Sequence, residues 1–191
     1  IKLQKKIIKL MKKFKKKICI ITSSRAEFGL LSRLIKKIQK TSSTQLIVTG
    51  SHISKSFGNT IKEIEKEKIK IFKKIKINLN DDSEKGISRA ISETITKFES
   101  IFQRLKPDLL IVLGDRYEIF SAVIAASIHR ITIAHIHGGE TTVNSLDNYF
   151  RHSISIMSHL HFVAHKKYKN RVINLGKNPK NIFVVGGLGA A

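Results

Sequence analysis

The sequence has no tryptophan, one cysteine and two prolines among its 191 residues. A single thiol, Cys19, excludes a disulfide framework within the chain and a multi-cysteine zinc site. No apolar run reaches the roughly 18 residues that a membrane-spanning helix needs. Two prolines and 11 glycines exclude collagen-like and low-complexity chains. What is present suits a folded domain. The hydrophobic share is 41%, and a chain of this length hides roughly 70% of its unfolded surface on folding.

Acidic residues are also scarce, 14 against 36 Lys and Arg, for a formal net charge of +22. Such an excess suggests nucleic acid as a partner. Its placement argues against that. Residues 1–17 hold nine lysines and no acid. Met11 opens MKKFKKKICIIT as a natural start would, so residues 1–10 read as an extension ahead of it. The segment runs into a strand instead of a small-residue cleavage site, unlike a secretory signal. Other lysines alternate with Ile and Asn, as in KIKIFKKIKINLN, which reads as compositional bias. No aromatic-interleaved basic motif accompanies them, so no nucleic-acid partner is expected.

Hydrophobic patterning predicts alternating strands and helices. Strands are expected at 17–22, 44–51, 69–79, 108–113, 131–136, 161–164 and 181–185. Helices are expected at 30–40, 60–68, 83–105, 117–129, 146–158 and 166–175. This alternation implies right-handed βαβ units and a mostly parallel sheet. In such sheets ligands bind at the carboxyl ends of the strands. The polar motifs SSRAEFG, TGSHISKSFGN, GDRYE, HGGETT and GGLGA each follow a strand directly.

Ser23, Ser24 and Arg25 precede a helix N-terminus, where backbone N–H groups and the helix dipole favour an anion. The competing reading is an N-cap beside a solvated arginine. The loop lacks the full GxGxxG pattern, so no dinucleotide cofactor is expected. Asp115 follows the most apolar strand and is either a helix cap or a general acid/base beside Arg116. His135 and His137 share a face if their strand extends that far. With Glu140 they resemble a metal site, but no third ligand stands out and no metal is expected. Gly138 and Gly139 let the backbone approach a ligand, or form a plain turn. Asp147 is a candidate N-cap for the helix carrying Arg151 and His152. Cys19 reads as an inert core thiol.

Five segments together resemble a known family. They are TSSRAEFGLLSRLI (22–35), VTGSHISKSFGNTIKEIE (48–65), PDLLIVLGDRYE (107–118), IAHIHGGETT (133–142) and LDNYFRHSISIMSHLHFVA (146–164). In order and spacing they are similar to the N-terminal half of the hydrolysing UDP-N-acetylglucosamine 2-epimerases of bacterial sialic-acid and related nonulosonic-acid pathways. The resemblance implies an α/β, Rossmann-like three-layer domain. It corresponds to the N-terminal domain of a two-domain fold like that of the GT-B glycosyltransferases. It also implies a reaction on UDP-N-acetylglucosamine or a 4-amino-6-deoxy analogue: elimination of UDP, then hydration to an N-acetylmannosamine-type sugar.

By the same resemblance, Asp115, Glu140, Asp147 and His137 are the catalytic candidates. Ser24, Arg25, His52, Arg116, Gly138, Gly139 and Arg151 are the substrate-binding candidates. No cofactor is implied. A UDP-sugar substrate, a cytoplasmic location, no membrane and a homo-oligomer when full length are expected. Two departures stand out. His137 occupies a position that is a carboxylate in some relatives, leaving open whether it or Glu140 serves as acid/base. The family continues for about as many residues again, with a second domain that holds most of the UDP site. Residues 1–16 are therefore expected to be a poorly ordered basic extension and 17–191 the Rossmann-like domain, with the UDP-binding domain absent and little or no activity alone. The alternatives are a non-catalytic Rossmann-like binding module and a glycosyltransferase half-domain.

Overall fold

A computed structural model of the chain describes Lys6, Lys9 and residues 17–143 and 145–187. The expected basic extension at 1–16 lies outside the described residues, apart from those two lysines. Seven parallel strands form one sheet. They are β1 (Lys17–Thr22), β2 (Ser43–Val48), β3 (Ile71–Lys74), β4 (Leu109–Leu113), β5 (Thr132–Ile136), β6 (Leu160–Val163) and β7 (Ile182–Val184). Their order is β3-β2-β1-β4-β5-β6-β7. The order reverses between β1 and β4, and a crevice at that switch point is where doubly wound sheets bind ligands.

Helices cover both faces, as burial of a parallel sheet requires. They are α1 (Arg25–Gln39), α2 (Ile61–Lys66), α3 (Glu84–Leu105), α4 (Tyr117–Ile128), α5 (Asp147–Met157) and α6 (Lys166–Asn174). Alternation along β1 divides the core. Ile18 and Ile20 pack with α1 and α2, through Leu31, Leu34, Ile35 and Ile64. Cys19 and Ile21 pack on the opposite face with α3 and α4, through Phe98, Phe102, Ile119 and Val123. All five residues of β4 are buried, which accounts for its unbroken LLIVL.

Local signals set the helix ends. Ser24 caps α1 by accepting from the Glu27 N–H at 3.4 Å, and Ser83 caps α3 by accepting from the Gly86 N–H at 3.1 Å. At the end of α3, Lys106 adopts φ 45°, ahead of Pro107. Thus α1 begins at Arg25, five residues before the expected apolar run. Neither aspartate caps a helix by its side chain. The N-cap of α4 is Arg116 and that of α5 is Leu146, so Asp147 is the first residue of its helix.

The expected strand 69–79 is strand only at Ile71–Lys74. Its partner β2 ends at Val48, opposite Lys74, and Ile75 N–H makes a last bond to the Val48 carbonyl at 2.9 Å. The alternation beyond persists without a ladder. Ile75, Ile77 and Leu79 are buried against the α3 face, while Lys76, Asn78 and Asn80 are exposed. Among the described residues no helix is long and apolar enough to cross a membrane.

Candidate active site

Four loops meet at the carboxyl edge of the sheet, after β1, β2, β4 and β5, with the start of α5 beside them. The centre is an ion pair. Arg151 of α5 donates through a terminal guanidinium nitrogen to the Asp115 carboxylate, at the turn after β4. Both side chains are largely buried, 11% and 18% exposed. Burial raises the Asp115 carboxyl above the ordinary aspartate range. The charge of Asp147 adds to that, while Arg151 and Arg116 oppose it. Asp147 is exposed, one helical turn before Arg151 on the same face.

The turn after β5 forms the second part. The strand stops at Ile136, and His137 enters the left-handed region with φ 64°. The two histidines therefore do not share a strand face. His135 is fully buried, with Nδ1 3.1 Å from Ser155 Oγ and Nε2 2.8 Å from the Gly114 carbonyl oxygen. Burial lowers it to about 3, which keeps it neutral. His137 Nδ1 instead lies 2.9 Å from Glu140 Oε1. Burial would raise the Glu140 carboxyl, but the His137 hydrogen bond and the charges of His137 and Arg151 hold it below its usual value. Asp115, Asp147, Arg151, Glu140 and His137 are thus one electrostatic cluster, and Arg151 acts on both halves of it.

The two glycines stand where the turn meets its neighbours. A Cβ at Gly138 would stand 2.8 Å from Ser155 Oγ and 2.9 Å from His135 Nδ1. One at Gly139, where φ is 76°, would stand 2.6 Å from the Tyr168 carbonyl oxygen. They let the turn pack against α5 and α6. Arg171 of α6 anchors the same turn, donating to the Gly139 carbonyl at 2.5 Å and to Thr141 Oγ1 at 3.2 Å. The sequence pattern does not single out Arg171; a lone arginine in a helix 30 residues away carries no local signal.

The remaining candidates lie on the β1 and β2 loops. Arg25 occupies the first position of α1, with Nε 3.0 Å from Glu63 of α2, and its side chain is 73% exposed. Ser24 is the cap already described. His52 is fully buried, with Nε2 3.1 Å from Thr22 Oγ1 and Nδ1 2.8 Å from Thr60 Oγ1. Both nitrogens are engaged within the fold, and burial lowers the ring to about 4. His52 holds the β2 loop instead of facing the edge. Arg116 donates to Glu118, a residue to which the sequence pattern assigns no role. The cluster lies on an open edge; a concavity of about 720 Å³ beside Ile77, Leu79, Glu93 and Lys97 contains none of these residues.

A parallel sheet in this order, with a charged cluster at its carboxyl edge, defines a Rossmann-like domain matching one half of a GT-B-like protein. The model of the UDP-N-acetylglucosamine 2-epimerase family matches residues 36–190. The chain belongs to that family. It is 46% identical over 176 residues to a Campylobacter jejuni GDP/UDP-N,N'-diacetylbacillosamine 2-epimerase (hydrolyzing), covering 91% of this chain and 46% of that protein. It is 45% identical to the Escherichia coli polysialic acid biosynthesis protein P7, covering 92% of this chain and 45% of that protein. In fold it is similar to the Neisseria meningitidis UDP-GlcNAc 2-epimerase bound to UDP-GlcNAc. There the TM-score is 0.79 at 22% identity, covering 90% of this chain and 46% of that one. The chain spans about half the length of the curated relatives it matches.

Proposed function

We propose that this chain supplies the proton-transfer side of a hydrolysing 2-epimerase site acting on UDP-N-acetylglucosamine or a 4-amino-6-deoxy analogue. The observation that carries this reading is the cluster of Asp115, Arg151, Asp147, Glu140 and His137 at one sheet edge. The chemistry requires a base for the proton on C2. As the base takes that proton, the C2–H electron pair forms the C1–C2 double bond, the C1–oxygen bond to the diphosphate breaks, and UDP leaves with the electron pair of that C1–oxygen bond. Water then adds its oxygen to C1, and C2 takes a proton from the opposite face. The sum is sugar nucleotide plus water to UDP plus the C2-inverted sugar.

Asp115 suits the base, because burial strengthens its hold on a proton and Arg151 orients it. The His137–Glu140 pair suits the second proton transfer, with Asp147 at the open rim. In this chain His137 and Glu140 share the role through one hydrogen bond. Arg25, with Ser24, and Arg116 are the groups for the diphosphate. His52, Gly138 and Gly139 shape the loops that hold them. We assign the site no cofactor, and place the enzyme in the cytoplasm as a homo-oligomer.

The test uses the protein expressed from its natural reading frame. Incubation with UDP-N-acetylglucosamine or UDP-N,N'-diacetylbacillosamine in D2O should release UDP and give a C2-inverted sugar carrying deuterium at C2. Asp115→Asn should lower turnover by about 10²-fold or more. If neither compound releases UDP, the reaction assignment falls. If Asp115→Asn turns over unchanged, the base is another group.

A further inference from the structure

A second charged unit stands at the switch point, between β1 and β4. Glu118 is fully buried, and its Oε1 accepts from both Nε and a terminal nitrogen of Arg116, each at 3.1 Å. Its Oε2 is buried with no partner among the described residues. The Arg116 side chain is 40% exposed, so the guanidinium is gripped from the protein side and open on the other. Glu27 of α1 is also buried. Its Oε2 accepts from the Ser23 N–H at 2.6 Å, and its Oε1 lies 2.9 Å from Ser23 Oγ. The β2 loop closes over the pair. Gly50 lies so near that a Cβ would stand 2.6 Å from the Ser23 carbonyl oxygen and 3.0 Å from Glu118 Oε1. Ser51 Oγ donates to the same carbonyl at 3.0 Å.

We propose that Glu118 is the positioning residue for Arg116, and that the proton on Glu27 sets how much of the Arg116 charge is available to the diphosphate of the substrate. This rests on the sugar-nucleotide function proposed above. With Glu27 protonated, Arg116 and Glu118 sum to zero and the exposed guanidinium faces a diphosphate with no opposing excess. With Glu27 ionised, the buried unit carries a net negative charge and repels it. Ser23 suits both states, because a hydroxyl donates to a carboxylate and accepts from a carboxylic acid.

The groups bearing on Glu27 are few. From the β4–α4 turn come Glu118, which favours the proton, and Arg116, which opposes it. Its own strand end contributes the Ser23 hydrogen bonds, which also oppose it. The β2 loop reaches Ser23 and Glu118 through Gly50 and Ser51, which carry no charge, and its His52 is kept neutral by burial. Burial is the largest influence, and the carboxyl group is pushed up to about 7.

The experiment is NMR on the protein with ¹⁵N-labelled arginine, from pH 5.5 to 8.5, with and without the analogue of UDP-N-acetylglucosamine in which a methylene group replaces the oxygen on C1. This probe cannot lose UDP, and its two linked phosphorus groups, each esterified or bridged, do not titrate in that range. In the free protein the Arg116 Nε–H should exchange slowly, and its resonance should shift with an inflection near neutrality. Glu27→Gln should abolish the inflection, and Glu118→Gln should abolish the protection. The probe should move the Arg116 resonance and bind on the order of tenfold more weakly at pH 8 than at pH 6. Glu27→Gln should bind equally at both.

Fast Nε–H exchange in the wild type overturns the positioning role, even if Glu118→Gln does not fold. An inflection that survives Glu27→Gln overturns the proton linkage. Resonances around Asp115 and Arg151 separate the two layers. If they respond to the probe and Arg116 does not, this proposal falls while the proposed function stands. If nothing at the edge responds, both fall.

Discussion

Arg151→Met tests the electrostatic logic of the site without any substrate. The substitution keeps the packing volume roughly constant and removes the positive partner of Asp115. An opposite charge at this range lowers a carboxyl pKa by roughly 1–3 units, so its loss should raise Asp115 by that much. Asp115 is already raised by burial. A carboxyl group with a folded pKa above its unfolded value costs stability when ionised. The cost is absent below the unfolded value near 3.9 and complete above the folded one. At about 1.4 kcal/mol per unit, the variant should lose roughly 1.4–4 kcal/mol at pH 7.5 from this source. Because the Asp115 side chain is only 18% exposed, solvent screening takes little from that figure. Urea unfolding followed by circular dichroism from pH 4 to 8 measures it, with Asp115→Asn as the second arm of a double-mutant cycle. The loss should shrink toward pH 4, and in the Asp115→Asn background it should fall to the smaller part that Arg151 exerts on Glu140. A pH-independent loss, or one that persists undiminished in that background, would refute the coupling.

Gly138→Ala should cost about 1–3 kcal/mol, because the new methyl meets Ser155 and His135. Gly139→Ala should cost more, since it adds a positive φ and a backbone clash; thermal unfolding of the pair ranks them. Lys106→Gly should stabilise the chain by about 0.5–1 kcal/mol in a denaturant melt, by relieving a left-handed non-glycine residue after α3. Cys19 is buried, with its thiol pushed up by that burial, so a colourless-to-yellow disulfide reagent should react with it only as the chain unfolds.

The loops around Asp115 and Glu140 show how far sequence could reach. Their positions at strand ends follow from short apolar runs stopped by glycine and charge. Which atoms meet does not. The Asp115–Arg151 pair joins residues 36 apart, across one helix and one strand, and no period or spacing encodes it. The His135–His137 pair shows the converse. Spacing placed the two rings on one face, but the strand ended at Ile136 and the backbone at His137 turned the second ring toward Glu140. Likewise 69–79 alternates as a strand does, yet without a partner beyond Val48 the ladder stops and only the burial alternates.

The α/β class, the placement of nearly every element and the family resemblance could all be read along the chain. Hydrophobic period and the residues that cap or break helices are local properties, and they are written in order. Arg151 reached Asp115 only with the assembled fold, 36 residues away, whereas His137 and Glu140, Arg116 and Glu118, and Ser23 and Glu27 lie within four residues of each other and are joined by the local shape of their loops. The fold also turned His52 inward, with both nitrogens satisfied. A buried charge or ring must find its partner wherever the fold brings one within about 3 Å. For Arg151 on Asp115 and His52 on Thr22 that distance is a property of the packed sheet and helices, not of any stretch of sequence.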